Sequence, residues 1–154
     1  MDKIDGAKVA RVWQRVKTEQ PEQPVQDGLP ELIAGTWTAA AVYARLAKKM
    51  TGKATATLQK MAQQEEQTCA CLKGIYTLTK GKPPEVRAVL PGETEPLFAL
   101  RRCYGQTLQR ASRYREQSSD PEYGQVFGAL EKQAQEQCLQ ILELVGNLKK
   151  RQRL

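Results

Sequence analysis

The sequence predicts an all-α protein, an antiparallel four-helix bundle with a long crossover between helices 2 and 3. Three observations predict it. Apolar residues recur every three or four positions along four stretches, no strand-like alternation competes with them, and the connections run short, long, short. The chain has 154 residues, enough for one domain with a substantial core.

The first predicted hairpin covers the first half of the bundle. Its opening helix spans 30–50 and starts at Pro30, where a residue without an N–H is harmless. A two-residue link leads to a second helix over 53–80. Gly81 ends that helix, because glycine adopts the left-handed conformation that closes many helices.

The second predicted hairpin follows a connection over 81–94 that contains three prolines and two glycines. The third helix covers 95–117. A turn then places Asp120 as an N-cap and Pro121 at the first helical position, and the fourth helix continues to about residue 149.

The two ends of the chain are predicted to lie outside the bundle of residues 29–149. Residues 1–28 are predicted to form a short amphipathic N-terminal helix followed by a Gln/Pro linker. The net charge is +7, and four positive charges fall in the last six residues, so residues 150–154 form a basic tail. Such residues usually stay solvated and complement the helix dipole, which makes a nucleic-acid partner the weaker interpretation.

The composition indicates a cytoplasmic protein that does not enter a membrane. No apolar run approaches the roughly 20 residues that cross a bilayer, and the N-terminus lacks the apolar core of a signal peptide. The four cysteines lie in predicted helices without a C-x-x-C motif, so free thiols are expected. Cys69 and Cys71, two residues apart, should point to nearly opposite faces of their helix.

An internal repeat is the most specific pattern in the chain. Thr36 and Tyr43, seven residues apart, are followed by Glu65-x-x-Thr68, and the pattern returns as Thr107 and Tyr114 followed by Gln135-x-x-Cys138. Bundles that hold two metal ions place a Glu on two helices and a Glu-x-x-His motif on the other two. The chain keeps this spacing but contains no histidine.

Over most of residues 29–148 the chain resembles the rubrerythrin-like branch of the ferritin-like superfamily. The segments ELIAGTWTAAAVYARLA, MAQQEEQTCACLKGIYTLTKGKPP and LRRCYGQTLQRASRYREQSSDPEYGQVFGALEKQAQEQCLQILELVG carry the resemblance. It implies that six residues occupy the positions of the metal ligands: Thr36, Glu65, Thr68, Thr107, Gln135 and Cys138. Only Glu65 keeps a ligand type of that family.

These departures predict a bundle that has lost its di-iron centre and has no catalytic or cofactor-binding residues. The expected role is that of a non-catalytic structural or interaction protein. The resemblance also implies a homodimer, and a further protein partner is possible. The alternative is a metal-binding oxidoreductase, active on peroxide or oxygen or in iron handling, whose altered site holds iron, manganese or zinc.

Two local alternatives stay open at this point. Glu65, Glu131 and Cys138 could together hold a single zinc ion, since carboxylates and a thiolate are zinc ligands. Cys103 and Cys138 could form a reversible redox pair if they lie close together.

Glu65 itself raises a physical question, because a buried carboxylate without a cation is costly. It should therefore be protonated, hydrated, or hydrogen-bonded to Thr36, Thr68 or Gln135.

Overall fold

The computed structural model describes residues 28–153, which form four helices and no strand. Their bounds are Leu29–Ala47 (α1), Gly52–Lys80 (α2), Pro96–Gln117 (α3) and Gly124–Arg153 (α4). The predicted all-α bundle with short, long and short connections is confirmed. None of these four helices is long and apolar enough to cross a membrane. The predicted N-terminal helix and linker lie outside the described residues, except for Gly28.

The helices pair as two hairpins, α1 with α2 and α3 with α4, and smaller contacts join α1 to α3 and α2 to α4. Hydrogen bonds link Gln64 to Gln137 and Thr68 to Gln133. Residue numbers therefore rise along α2 as they fall along α4, so these two helices are antiparallel. Short connections make the two hairpins antiparallel as well.

The helix ends differ from the prediction by a few residues. α1 stops at Ala47, whose carbonyl accepts a hydrogen bond from Thr55 Oγ1 at 3.1 Å. α4 continues through Arg153, beyond the predicted end at residue 149, so most of the basic tail is helical. Lys150 and Arg151 lie in the last turns, where positive charges complement the helix dipole.

The predicted cap of α4 is confirmed at Asp120, although the regular helix begins later than predicted. The Asp120 carboxylate accepts hydrogen bonds from the backbone N–H groups of Glu122, at 3.1 Å, and Tyr123, at 2.6 Å. A turn occupies the intervening residues, and the helix starts at Gly124 rather than at Pro121.

The crossover of residues 81–95 runs from the end of α2 to the far end of the bundle, where α3 begins. Two contacts fasten its second half to α1. Arg45 Nη1 donates to the Pro91 carbonyl at 2.9 Å, and Lys49 pairs with Glu93 at 2.7 Å. The crossover is thus held along one side of the bundle.

The core consists of two apolar clusters. One contains Tyr43, Leu58 and Ile141, and the other contains Leu32, Leu72 and Phe127. Between these clusters, polar side chains contributed by all four helices form a layer across the bundle. This polar layer is the candidate functional site.

Candidate functional site

The polar layer is buried almost completely. Its members are Thr36 from α1, Glu65 and Thr68 from α2, Thr107 and Arg110 from α3, and Gln137 from α4. Glu65 is 3% exposed and Arg110 is 8% exposed, so an acid and a base are both removed from solvent. Buried charges of this kind need a partner.

Arg110 and Glu65 are each other's partners. Arg110 Nη2 lies 3.5 Å from Glu65 Oε1. Arg110 reaches the centre because it follows Thr107 by three residues and precedes Tyr114 by four, which places all three on one face of α3. Arg110 was not among the predicted site residues, although this spacing was the signal that could have identified it.

A chain of hydrogen bonds holds the Arg110 guanidinium in place. Arg110 Nη2 donates to Thr107 Oγ1 at 3.3 Å, and the Tyr43 hydroxyl lies 3.3 Å from the same oxygen. Burial raises the pKa of both Tyr43 and Tyr114 above the ordinary value of a phenol. Both hydroxyls therefore keep their protons and act as neutral groups around the guanidinium.

The charges of the pair are set by burial and by their mutual attraction. Burial raises the pKa of Glu65, while the Arg110 charge and the Gln137 amide oppose that rise. The pKa of Arg110 is raised despite burial, because Glu65 and the nearby phenols favour its charged form. The guanidinium is thus a permanent cation at the bundle centre.

The three hydrogen-bond partners suggested for Glu65 are engaged elsewhere, so that alternative was wrong, whereas the raised pKa of Glu65 agrees with the alternative of a protonated carboxyl. Thr36 Oγ1 donates to the carbonyl of Ile33 at 3.0 Å, one turn back in its own helix. Thr68 Oγ1 accepts a hydrogen bond from Gln133 Nε2 at 2.9 Å. Glu65 Oε1 has no hydrogen-bond partner among the described residues and faces Arg110 as an ionic contact.

The predicted central position of Gln135 was also wrong, because this side chain is exposed. Gln135 Nε2 donates to Glu131 Oε2 at 3.3 Å, on the outside of α4. The Glu131 carboxylate in turn pairs with Arg115 at 2.7 Å. The zinc site suggested for Glu65, Glu131 and Cys138 is therefore not assembled.

The inward face of α4 is set by its large apolar residues. Phe127 and Ile141 are fully buried, with Ala134 midway between them on the same stripe. Residue 135 is rotated about 100° from residue 134, which carries it out of the core. Gln137 follows Ala134 by three residues, is fully buried, and donates to Gln64 Oε1 at 3.0 Å.

All four cysteines are free, as predicted. Cys69 is buried and Cys71 is exposed, so the prediction that they face opposite sides of α2 is confirmed. Cys103 and Cys138 are both buried, and burial raises the pKa of the Cys103 thiol to about 11. A redox reaction between these two thiols stays a prediction.

The donor set around Glu65 does not fit a di-metal centre. Within residues 28–153, no three side chains of His, Cys, Asp or Glu are placed to hold a metal ion. Glu65 is the one buried carboxylate of this part of the chain, and a guanidinium faces it. Two divalent ions need several anionic oxygens or imidazoles to balance their charge.

Comparison of the chain with protein-family models, with curated proteins and with solved structures finds no match. Function must therefore be inferred from the chemistry of the polar layer and of the surface, since a fold alone does not define an activity.

Proposed function

We propose that this chain is a rubrerythrin-like, ferritin-like bundle that has lost its di-iron centre and acts as a non-catalytic structural or interaction protein. The observation that supports the proposal is the Arg110 guanidinium beside Glu65, at 3.5 Å. In this interpretation the side chain of Arg110 supplies the positive charge that metal ions provide in related bundles.

Electrostatic repulsion explains why the Arg110 guanidinium and a metal ion exclude each other. At a separation of about 4 Å and an effective dielectric of about 20, two unit charges repel by about 4 kcal/mol, so a divalent ion would be opposed by about 8 kcal/mol. A single carboxylate, Glu65, would have to offset this repulsion. The remaining polar groups of the layer are hydroxyls and amides, which are weak ligands for such ions.

Within residues 28–153, the polar layer offers no general base that a substrate could reach, which favours a non-catalytic role. The chain contains no histidine, and the two buried tyrosines hold their protons because burial raises the pKa of each. Acid–base catalysis needs a group whose pKa lies near the working pH and which reaches its substrate. Glu65 has a raised pKa, but it is 3% exposed and is enclosed by its own bundle.

Metal loading tests this proposal against its alternative, an oxidoreductase with an altered iron, manganese or zinc site. The purified protein is incubated with each metal, desalted, and analysed by inductively coupled plasma mass spectrometry. We expect no stoichiometric metal in the wild-type protein or in Glu65→Ala. Tightly bound metal that disappears in Glu65→Ala would support the alternative and contradict the proposal.

An interaction role needs a surface, and α4 offers one. Leu139 and Leu142 are 67% and 50% exposed and lie three residues apart, on the same face of the helix. Leu108 of α3 is also exposed. Exposed leucines at helical spacing are typical of helix–helix contacts between subunits, and we propose a homodimer on this face.

Molar mass in solution tests the dimer. Size-exclusion chromatography with light scattering should give twice the chain mass for the wild-type protein. The double substitution Leu139→Glu with Leu142→Glu should give the monomer mass, while Leu78→Glu, at another exposed leucine, should leave the dimer intact. A monomeric wild-type protein would exclude this homodimer.

A further inference from the structure

A cleft of about 370 Å³ lies where α1, α3 and the crossover meet. The charged and amide side chains of its lining are Arg87, Arg110, Arg113, Glu31, Gln106 and Gln109. Small-molecule sites in proteins commonly measure about 300–1,000 Å³, so the cleft can hold a compact ligand. It is distinct from the α4 surface proposed above for a homodimer.

The charged lining favours an anion. Three guanidinium groups face one carboxylate, so the formal charge of the lining is +2. Arg87 and Arg113 form no ion pair with other residues of the described range 28–153. Guanidinium groups are planar and weakly hydrated, and they bind carboxylates and phosphates through paired N–H donors.

The two arginines from α3 are held against α1. Arg110 and Arg113 are three residues apart and therefore lie on one face of α3. The absence of a side chain at Gly28 makes room for Arg113, since a Cβ there would overlap its guanidinium. Arg110 passes Gly35, which also lines the cleft, with its Cδ 3.5 Å from the position that a Cβ would take.

Arg110 is shared between the cleft and the polar layer. Its Nη2 atom faces Glu65 and donates to Thr107, while its Nη1 atom lies toward Gly35. A guanidinium has five N–H donors, more than these inward contacts use. Arg110 is 8% exposed, so it presents a nearly desolvated charge to the cleft. Such charges form stronger contacts with an anion than solvated ones do.

We propose that this cleft binds a small molecule that bears an oxyanion group, either a carboxylate or a phosphate, held between Arg113, Arg110 and Arg87. The exposed amides of Gln106 and Gln109 supply neutral hydrogen-bond groups at the rim. Leu32 and Val89 supply apolar contacts for the rest of the ligand. The site does not depend on the proposed loss of metal.

Isothermal titration calorimetry of the full chain tests the proposal with two probes, inorganic phosphate and succinate, at constant ionic strength maintained with chloride. We expect saturable binding of at least one probe. Arg113→Gln should weaken it by about tenfold or more, the effect of losing one charge-assisted hydrogen bond. Arg101→Gln, an exposed position on the same helix outside the cleft, should bind like the wild type.

The two probes separate the possible sources of the oxyanion. Phosphate binding alone indicates a phosphorylated ligand, and succinate binding alone indicates a carboxylic acid. Arg87→Gln gives a second test outside the helices if Arg113→Gln does not fold, because Arg87 lies exposed in the crossover. The proposal is overturned if neither probe binds, or if folded cleft variants bind as tightly as Arg101→Gln.

Discussion

Arg110 supplies the charge that makes a buried Glu65 tolerable at the centre of the bundle. Removing two ions from water is expensive, and their attraction in the interior often only offsets that cost. The Glu65–Arg110 pair, at 3.5 Å, should therefore add little to the free energy of unfolding. Loss of only one of the two side chains should cost more, because the other one then stays buried without its partner. The difference between replacing one member of the pair and replacing both can be measured.

Arg110→Met should destabilise the protein by about 3–5 kcal/mol near neutral pH, because it leaves the Glu65 carboxylate buried without a cation. Urea unfolding followed by circular dichroism measures the change. Arg101→Met, on the exposed face of the same helix, is the matched control and should change the free energy of unfolding by less than about 0.5 kcal/mol.

The double variant Glu65→Leu with Arg110→Met separates charge from packing. Replacing both members of a buried pair by apolar residues is often neutral or stabilising. We therefore expect it to recover most of the stability lost in Arg110→Met. If the double variant is as unstable as the single one, the two side chains are not coupled.

The pH dependence of stability reports on Glu65. Burial raises its pKa above the ordinary value of 4.5, so the folded state favours the protonated carboxyl. The contribution of the Glu65 carboxyl group to stability is complete below its pKa in the unfolded state. It is lost as the pH rises through its pKa in the folded state. The stability of the wild type relative to Glu65→Gln should thus fall as the pH rises above the ordinary carboxyl pKa of 4.5. A relative stability that rises with pH would mean that Arg110 lowers this pKa.

The thiols should differ in their reactivity. Cys71 is exposed, whereas Cys69, Cys103 and Cys138 are buried. Under native conditions a disulfide reagent such as DTNB should modify one thiol per chain rapidly, and Cys71→Ser should remove that fast phase. Fast modification of a buried thiol in Cys71→Ser would contradict the described packing.

At the scale of helices, the apolar periodicity and the prolines and glycines were sufficient to predict all four elements. The end of α2 was predicted correctly at Lys80, because Gly81 provides a local signal. The end of α4 was not, because no breaker follows residue 149 and the helix continues to Arg153. Helix ends that lack a local signal depend on packing, which periodicity does not show.

Gly81 and Gly74 give a paired test of how α2 ends. Gly81 has a positive φ of 77°, so Gly81→Ala should destabilise the protein by about 1 kcal/mol. Gly74 lies exposed within α2 with open space around it, so Gly74→Ala should stabilise it by about 0.5–1 kcal/mol. Thermal unfolding measures both changes. Equal effects from the two substitutions would show that the left-handed cap does not hold the end of α2.

The rotation of α4 about its axis was the least predictable feature of the site. The repeat favoured Gln135 as an inward residue, but the buried residues Phe127 and Ile141 set the orientation and leave Gln135 exposed. Arg110 was missed because a charged residue does not contribute to an apolar stripe. Its spacing from Thr107 and Tyr114 nevertheless places it on the inward face of α3, where it meets Glu65 of α2.

Across the whole molecule, a polar layer separates two apolar clusters, and the crossover is fastened along one side. This arrangement is a four-helix bundle whose centre carries an internal ion pair. Arg110 also lines the cleft, so the ion pair lies next to a cavity that opens to the surface. The polar layer and the cleft therefore share one residue, which connects the inside of the bundle with its surroundings.

A crystal structure of the protein grown with manganese, with anomalous diffraction data, tests the central claim most directly. We predict density for the Arg110 guanidinium beside the Glu65 carboxylate and no anomalous peak between the four helices. Anomalous peaks for two ions at Glu65, with Arg110 turned away from the bundle centre, would contradict this account.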